Sequence, residues 1–169
     1  MIRRLCLNSL IGLVLGVVLV MPLAVLLHEL GHATPQLMTG HSAEIRLGSG
    51  SNAKELRVGK LKLLITPLSM NVGFASIERN VSKNLQAVSL LMGPVVSLIL
   101  CIGLYFLSRY ELPYLAEYLV NFGLYFSLFQ FIFTSIPIYY PSYFGAYEGM
   151  PSDGRQVLEL LGVLKGQGA

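Results

Sequence analysis

The chain has 169 residues, of which 54% are hydrophobic and only 12% are charged. An ordinary soluble domain carries about a quarter charged residues, so this composition excludes a typical soluble enzyme and indicates a small integral membrane protein. The net charge of +3 is small, and the basic residues lie mostly between apolar segments. We therefore expect the lipid bilayer as a partner and no nucleic acid.

The first predicted element is an apolar helix over residues 5–33, which is long enough to cross a hydrocarbon layer of about 30 Å. Thirteen Leu, Ile and Val residues lie between Leu10 and Leu27, and each favours insertion by about 0.3–0.6 kcal/mol. The apolar run is longer than a signal-peptide core and is followed by no small-residue cleavage site, so we expect a retained anchor. Pro22 cannot donate a hydrogen bond to the carbonyl of Val18, which predicts a kink.

The most informative motif ends this span and reads His28-Glu29-Leu30-Gly31-His32. On a helix, His28 and His32 lie one turn apart on one face, where both imidazoles can bind one Zn²⁺ and Glu29 can accept a proton from water. The alternative is a chance match on a solvated helix face. Charged side chains near the centre of a span cost about 2.5–3.5 kcal/mol, so this setting favours a metal site at membrane depth.

The segment between the first two spans alternates polar and apolar residues. Residues 43–47 alternate, residues 48–52 have turn chemistry, and residues 56–63 resume an approximate alternation. This pattern predicts a small β-hairpin or sheet within a β-rich loop over residues 43–75. Residues 65–74 are less polar than a solvated loop, and we expect them to approach the bilayer beside the metal.

Two further apolar segments, residues 85–108 and 118–138, complete about three predicted spans. Residues 34–84 contain seven Lys and Arg residues, whereas Arg109 alone lies in the connection after the second span. The positive-inside tendency places residues 34–84 in the cytoplasm, although Arg3 and Arg4 favour the opposite orientation. We expect an integral protein of a bacterial cell membrane whose active site lies towards the cytoplasmic side.

A candidate third metal ligand follows the last span. Asp153 is the only aspartate in the chain, and it lies at the start of a predicted C-terminal helix over residues 152–165. A catalytic zinc typically takes three protein ligands and keeps one position for water, so two histidines need a partner. From the local sequence alone, metal ligand and helix N-cap are equally good roles for this residue. Other candidates have the wrong spacing or lie in a solvated segment, namely His41, Glu44, Glu55 and Glu78.

Three motifs together resemble the site-2 protease family of intramembrane zinc metalloproteases, in a minimal form without a PDZ or CBS domain. They are His28–Ala33 at the end of a span, Met92-Gly93-Pro94-Val95-Val96-Ser97, which is similar to the family's Gly-Pro-x-x-Asn, and Ile136-Pro137 followed by Pro151-Ser152-Asp153-Gly154. The resemblance implies that Asp153 is the third zinc ligand and that the substrate is a transmembrane protein or peptide. Three features depart from the family pattern: Ser97 and Thr134 stand where asparagine is usual, and residues 138–150 are longer and richer in tyrosine.

We therefore predict a mainly α membrane protein with one domain, residues 1–169, that acts as a zinc-dependent intramembrane endopeptidase. His28, His32 and Asp153 would hold one Zn²⁺, and Glu29 would act as the general base. Ser97 or Asn71 would help to stabilise the oxyanion, and an unwound substrate would pair with the edge of the β-rich loop. The alternative is a catalytically silent scaffold that binds membrane peptides and holds a structural zinc.

Overall fold

The structure, a computed structural model, describes residues 2–49, 52–66, 72–78 and 80–166. Within these ranges, three helices are long and apolar enough to cross a membrane: Asn8–Met38, Lys83–Leu107 and Tyr114–Ser135. The prediction of three apolar spans is thus confirmed at the level of helix length and composition. A small sheet and a C-terminal helix accompany these spans.

The first span consists of α1 (Ile2–Leu15), a π-helical turn (Gly16–Val20) and α2 (Met21–Met38). At the end of the π turn, the Met21 N–H donates to the carbonyl of Gly16. The turn lies just before Pro22, which has no N–H to donate, so a local change of helical register occurs at the predicted kink. Close packing also holds this region, because a Cβ added to Gly16 would come within 2.8 Å of the Phe122 ring.

The second and third spans are α3 (Lys83–Leu107) and α4 (Tyr114–Ser135). The side chain of Ser82 caps α3 by accepting a hydrogen bond from Leu85 N–H. Helix α4 begins and ends earlier than the predicted 118–138. It ends at Ser135 because Pro137 follows, and the residue before a proline is driven out of the helical conformation; Ile136 is extended, with ψ of 130°.

The segment between α2 and α3 forms a mixed sheet of four described strands, β1 (Ala43–Leu47), β2 (Lys54–Val58), β3 (Leu61–Ile65) and β4 (Gly73–Ile77). The strand order is β2-β3-β1-β4, in which β1 and β3 are parallel and the other pairs are antiparallel. Buried side chains of β1 pack against Val25 and Ala33 of α2. The sheet therefore lies on the helix that carries the histidines, and β4 forms one edge.

After α4 the chain forms a loop whose two ends lie side by side near the end of that helix. Residues 138–152, which we call the tyrosine loop, are closed at their base by a bridge between Tyr139 and Pro151 and contain a 3₁₀ turn, Ser142–Tyr147. The loop leads into α5 (Asp153–Leu160), which is shorter than the predicted 152–165. A Cβ added to Gly154 would overlap the carbonyl oxygen of Ser135, so glycine allows α5 to begin directly against the end of α4.

Candidate metal centre

Three donor groups from opposite ends of the chain converge beside the sheet. The Nε2 atoms of His28 and His32 lie 3.1 Å apart. Asp153 Oδ2 lies 3.3 Å from His28 Nε2 and 3.4 Å from His32 Nε2. Both histidines are buried, and among the described residues these three side chains form a group that could hold a metal ion.

The spacing of the three donors fits a tetrahedral ion. Zinc–nitrogen and zinc–oxygen bonds of about 2.0–2.1 Å imply about 3.3–3.4 Å between neighbouring ligands of a tetrahedron. The observed separations of 3.1, 3.3 and 3.4 Å agree with that edge length. Three protein donors at this spacing also leave the fourth vertex of the tetrahedron for a ligand from outside the chain.

Helix α3 contacts both histidine rings at their Nδ1 atoms, opposite the Nε2 atoms that face Asp153. His32 Nδ1 donates to the carbonyl oxygen of Ser89 over 2.8 Å, and His28 Nδ1 lies 2.8 Å from Ser97 Oγ. A carbonyl oxygen can only accept, so His32 carries a proton on Nδ1, and in the neutral form that a metal requires it would present the Nε2 lone pair to the centre. Ser97, predicted as an oxyanion helper, contacts the His28 nitrogen that points away from the other donors, which favours a role in orienting His28.

Two glycines let α2 and α3 approach closely enough for these contacts. A Cβ added to Gly31 would lie 2.6 Å from the carbonyl oxygen of Met92, and one added to Gly93 would overlap the His32 ring. The imidazole of His32 thus lies directly on the backbone of α3. The glycine in the Met92–Ser97 motif therefore has a steric explanation in this structure.

Glu29 is buried beside the donor group, under strand β4. A Cβ added to Gly73 would come within 2.7 Å of Glu29 Oε1. Glu29 is 6% exposed and is not one of the three converging donors. The structure therefore places a carboxylate next to the candidate metal position that is available for proton transfer.

The structure separates the two roles considered for the Ser152-Asp153 pair. Ser152 is the N-cap of α5, since its Oγ accepts from Arg155 N–H over 3.2 Å and donates to Ile136 O over 2.6 Å. Asp153 instead directs its carboxylate at the two histidines. Burial raises the pKa of Asp153, but the charge of His32 and hydrogen bonds from both imidazoles outweigh burial and lower this pKa to about 2. The carboxylate is therefore ionised at neutral pH, as a metal ligand must be.

The remaining predicted residues lie elsewhere or have other partners. Asn71 lies outside the described residues. The Thr134 hydroxyl donates to Gln130 O within its own helix, over 2.9 Å. The weaker ligand candidates also have partners away from the metal centre: His41 contacts Thr39, Glu44 pairs with Lys62, Glu55 with Arg57, and Glu78 with Ser42.

Sequence reasoning missed Tyr147, which contacts the strand above Glu29. Its hydroxyl accepts from Gly73 N–H over 2.8 Å and lies 3.0 Å from Gly73 O. The only signal in the sequence was the unusual tyrosine content of residues 138–150. That signal did not indicate which strand the loop would meet.

Comparison with known proteins found no family model and no curated protein that matches the chain.

Proposed function

We propose that this chain is a zinc-dependent intramembrane endopeptidase that hydrolyses peptide bonds in membrane-spanning segments of other proteins. The observation that supports the proposal is the convergence of His28, His32 and Asp153 beside the buried carboxylate of Glu29. Both histidines and Glu29 belong to a helix that is apolar enough to cross a membrane. A purely structural metal site has no need of a base beside its ligands.

The donor set suits Zn²⁺. Two imidazole nitrogens and one carboxylate oxygen are typical ligands of catalytic zinc, which keeps a fourth position for water. When bound, such an ion acts as a Lewis acid and lowers the pKa of the water that it binds. Asp153 would balance one of its two positive charges, and the contacts from Ser89 and Ser97 would keep both imidazoles aimed at it.

Glu29 is the proposed general base. Its carboxylate would accept a proton as water attacks the carbonyl carbon of the scissile peptide bond, and would return that proton to the leaving amine. The carboxylate lies under β4, since a Cβ added to Gly73 of that strand would come within 2.7 Å of Glu29 Oε1. The peptide would therefore need to lie close to this strand for the proton transfers to occur.

Strand β4 offers a way to hold such a peptide. Among the described strands, β4 pairs with β1 alone, so its other edge can accept an extended segment by strand addition. A helical substrate shields its peptide bonds by its own hydrogen bonds, and pairing with β4 would stabilise the unwound form. The substrate class is thus a membrane-spanning segment that can unwind locally.

Replacing Glu29 with Gln tests the proposal. We expect Glu29→Gln to lower cleavage by roughly a hundredfold or more, because it removes the base, while one zinc per chain remains bound. The measurement is fragment formation on co-expression with a panel of single-span proteins, together with the zinc content of the purified protein. The matched control is Glu117→Gln, which alters an exposed glutamate on α4 and should leave both values unchanged. Equal cleavage by the Glu29→Gln and unsubstituted proteins would refute the assignment, and zinc binding without cleavage by any form would favour a silent scaffold.

A further inference from the structure

Gly73 is a buried residue of β4, the strand at one edge of the sheet. Gly73 pairs in register with Leu47 of β1, and the next pair along the ladder is bonded by Gly48 N–H to Val72 O over 2.7 Å. Bonded and non-bonded pairs alternate along an antiparallel ladder. The N–H and C=O of Gly73 consequently point away from β1, towards the free edge.

The hydroxyl of Tyr147 forms hydrogen bonds with both of these backbone groups. Gly73 N–H donates to Tyr147 Oη over 2.8 Å, and the Tyr147 hydroxyl donates to Gly73 O over 3.0 Å. Burial raises the pKa of Tyr147, so the hydroxyl keeps the proton that it donates. One phenol therefore makes the pair of hydrogen bonds that a residue of an adjacent strand would make.

The position that Tyr147 fills lies directly above the proposed base. A Cβ on Gly73 would come within 2.7 Å of Glu29 Oε1, so an extended peptide bonded to Gly73 would pass next to this carboxylate. Tyr147 also packs its ring against Phe74, with centroids 5.1 Å apart. The phenol and an incoming strand cannot both occupy the edge at Gly73.

The base of the tyrosine loop is closed by hydrogen bonds that do not involve the Tyr147 hydroxyl. Ser152 N–H donates to Ile138 O over 3.0 Å, and Tyr140 N–H donates to Met150 O over 2.9 Å. These bonds hold the base next to Asp153. Gly145 lies nearer the tip with φ of 59°, and Gly149, whose N–H donates to Tyr140 O, lies at the base with φ of 71°; glycine enters this region freely. Release of Tyr147 therefore does not require Asp153 to leave the histidines.

We propose that Tyr147 is a gating residue: it holds the substrate position at Gly73 closed and is displaced when an extended peptide pairs with β4. This inference rests on the proposed function, because only that function makes the edge of β4 at Gly73 a substrate position. A segment displaces the phenol only if it presents a free N–H and C=O, which a helical segment does not. Tyr147 thereby makes local unwinding of the substrate a condition of entry.

A binding measurement tests the gate without any turnover. In the Glu29→Gln background, the probe is a fluorescent apolar peptide of about 20 residues with a central Gly-Gly pair, in detergent micelles. We expect Tyr147→Phe to lower the Kd for this peptide about tenfold, because the peptide no longer competes with two hydrogen bonds. The matched control is Tyr143→Phe, on the same loop but 81% exposed, which should leave Kd unchanged. A Tyr147→Phe variant that binds the peptide no more tightly than its parent would overturn the proposal.

Amide hydrogen exchange provides a second readout, with no peptide present. Tyr147→Phe should speed exchange in the segment that contains Gly73, whose N–H loses its acceptor, whereas Tyr143→Phe should not. Unchanged protection of this segment would also overturn the proposal. Neither readout depends on hydrolysis, so a protein that passes both tests yet cleaves nothing would refute the endopeptidase and leave the gate in place.

Discussion

Ser97 illustrates how a single hydroxyl in the second span affects a ligand in the first. It is buried, and its Oγ lies 2.8 Å from His28 Nδ1, on the side of the ring away from Asp153. Hydrogen bonds of this kind fix the tautomer and orientation of a metal-binding imidazole. The contact therefore favours a role for Ser97 in orienting His28, and a measurement of metal affinity distinguishes this role from direct stabilisation of an oxyanion.

Replacing Ser97 with Ala should weaken zinc binding about 10–100-fold, the usual effect of removing such a partner. The measurement is competition for zinc with a chelator of known affinity, followed by cleavage at saturating zinc. Ser108→Ala is the control, since the Ser108 hydroxyl donates to Tyr105 O at the far end of α3 from the histidines. If Ser97→Ala left zinc affinity unchanged but lowered kcat, the oxyanion role would be correct and the orienting role wrong.

The three candidate ligands differ in how far the sequence could predict their convergence. His28 and His32 follow from helical spacing, because residues four apart share a face whatever the tertiary structure. The choice of Asp153 rested on a resemblance, since a carboxylate at the start of a helix caps as readily as it ligates. The contacts of Ser97 and Tyr147 were not predictable from the sequence. The Ser97 contact depends on which helix packs against α2, and the Tyr147 contact depends on which strand the tyrosine loop meets.

At the start of helix α5, the adjacent residues Ser152 and Asp153 have different roles. Ser152 caps the helix and ties it to the end of α4 through Ile136 O. Asp153, in the first turn, is then free to face the histidines. The helix is short, so its cap contributes a large share of its local stability, about 1 kcal/mol for a typical serine cap.

Substitutions at these two positions should therefore have separable effects. Asp153→Ala should reduce bound zinc to well below one ion per chain while leaving the helical circular-dichroism signal intact. Ser152→Ala should lower the free energy of unfolding by about 1 kcal/mol but retain zinc when the metal is in excess. Zinc content by atomic absorption and thermal unfolding in detergent provide the two measurements. Full zinc occupancy in the Asp153→Ala variant would show that Asp153 is not a ligand.

Element type was predicted better than element boundaries and strand order. Long apolar runs specify spans by composition, whereas α4 ends where Pro137 forces Ile136 out of the helix. Alternation predicted strands within residues 43–75, and a small sheet is present, but its hairpin joins β2 and β3 and does not turn at residues 48–52. Alternation carries no information on partners, so the parallel pairing of β1 with β3 and the edge position of β4 were not predictable.

The convergence of His28, His32 and Asp153 also constrains the arrangement of the molecule as a whole. His32 lies near the end of the first span and Asp153 follows the third, so the ends of both spans lie on one side together with the sheet. The connection from α3 to α4 lies at the opposite ends of the helices. The segment on the side of the sheet carries most of the Lys and Arg residues, and the positive-inside tendency favours a cytoplasmic location for it.

Cysteine labelling tests this orientation, with Cys6 and Cys101 first replaced by Ser. A cysteine introduced by Lys60→Cys lies in the exposed turn between β2 and β3, and one introduced by Glu111→Cys lies in the exposed connection between α3 and α4. A membrane-impermeant maleimide should label the Glu111→Cys variant in intact cells and the Lys60→Cys variant only after permeabilisation, because three spans place these positions on opposite sides. The reverse pattern would place the candidate metal centre towards the outside. It would indicate that Arg3 and Arg4 determine the topology. Labelling of both variants in intact cells would contradict the three-span arrangement itself.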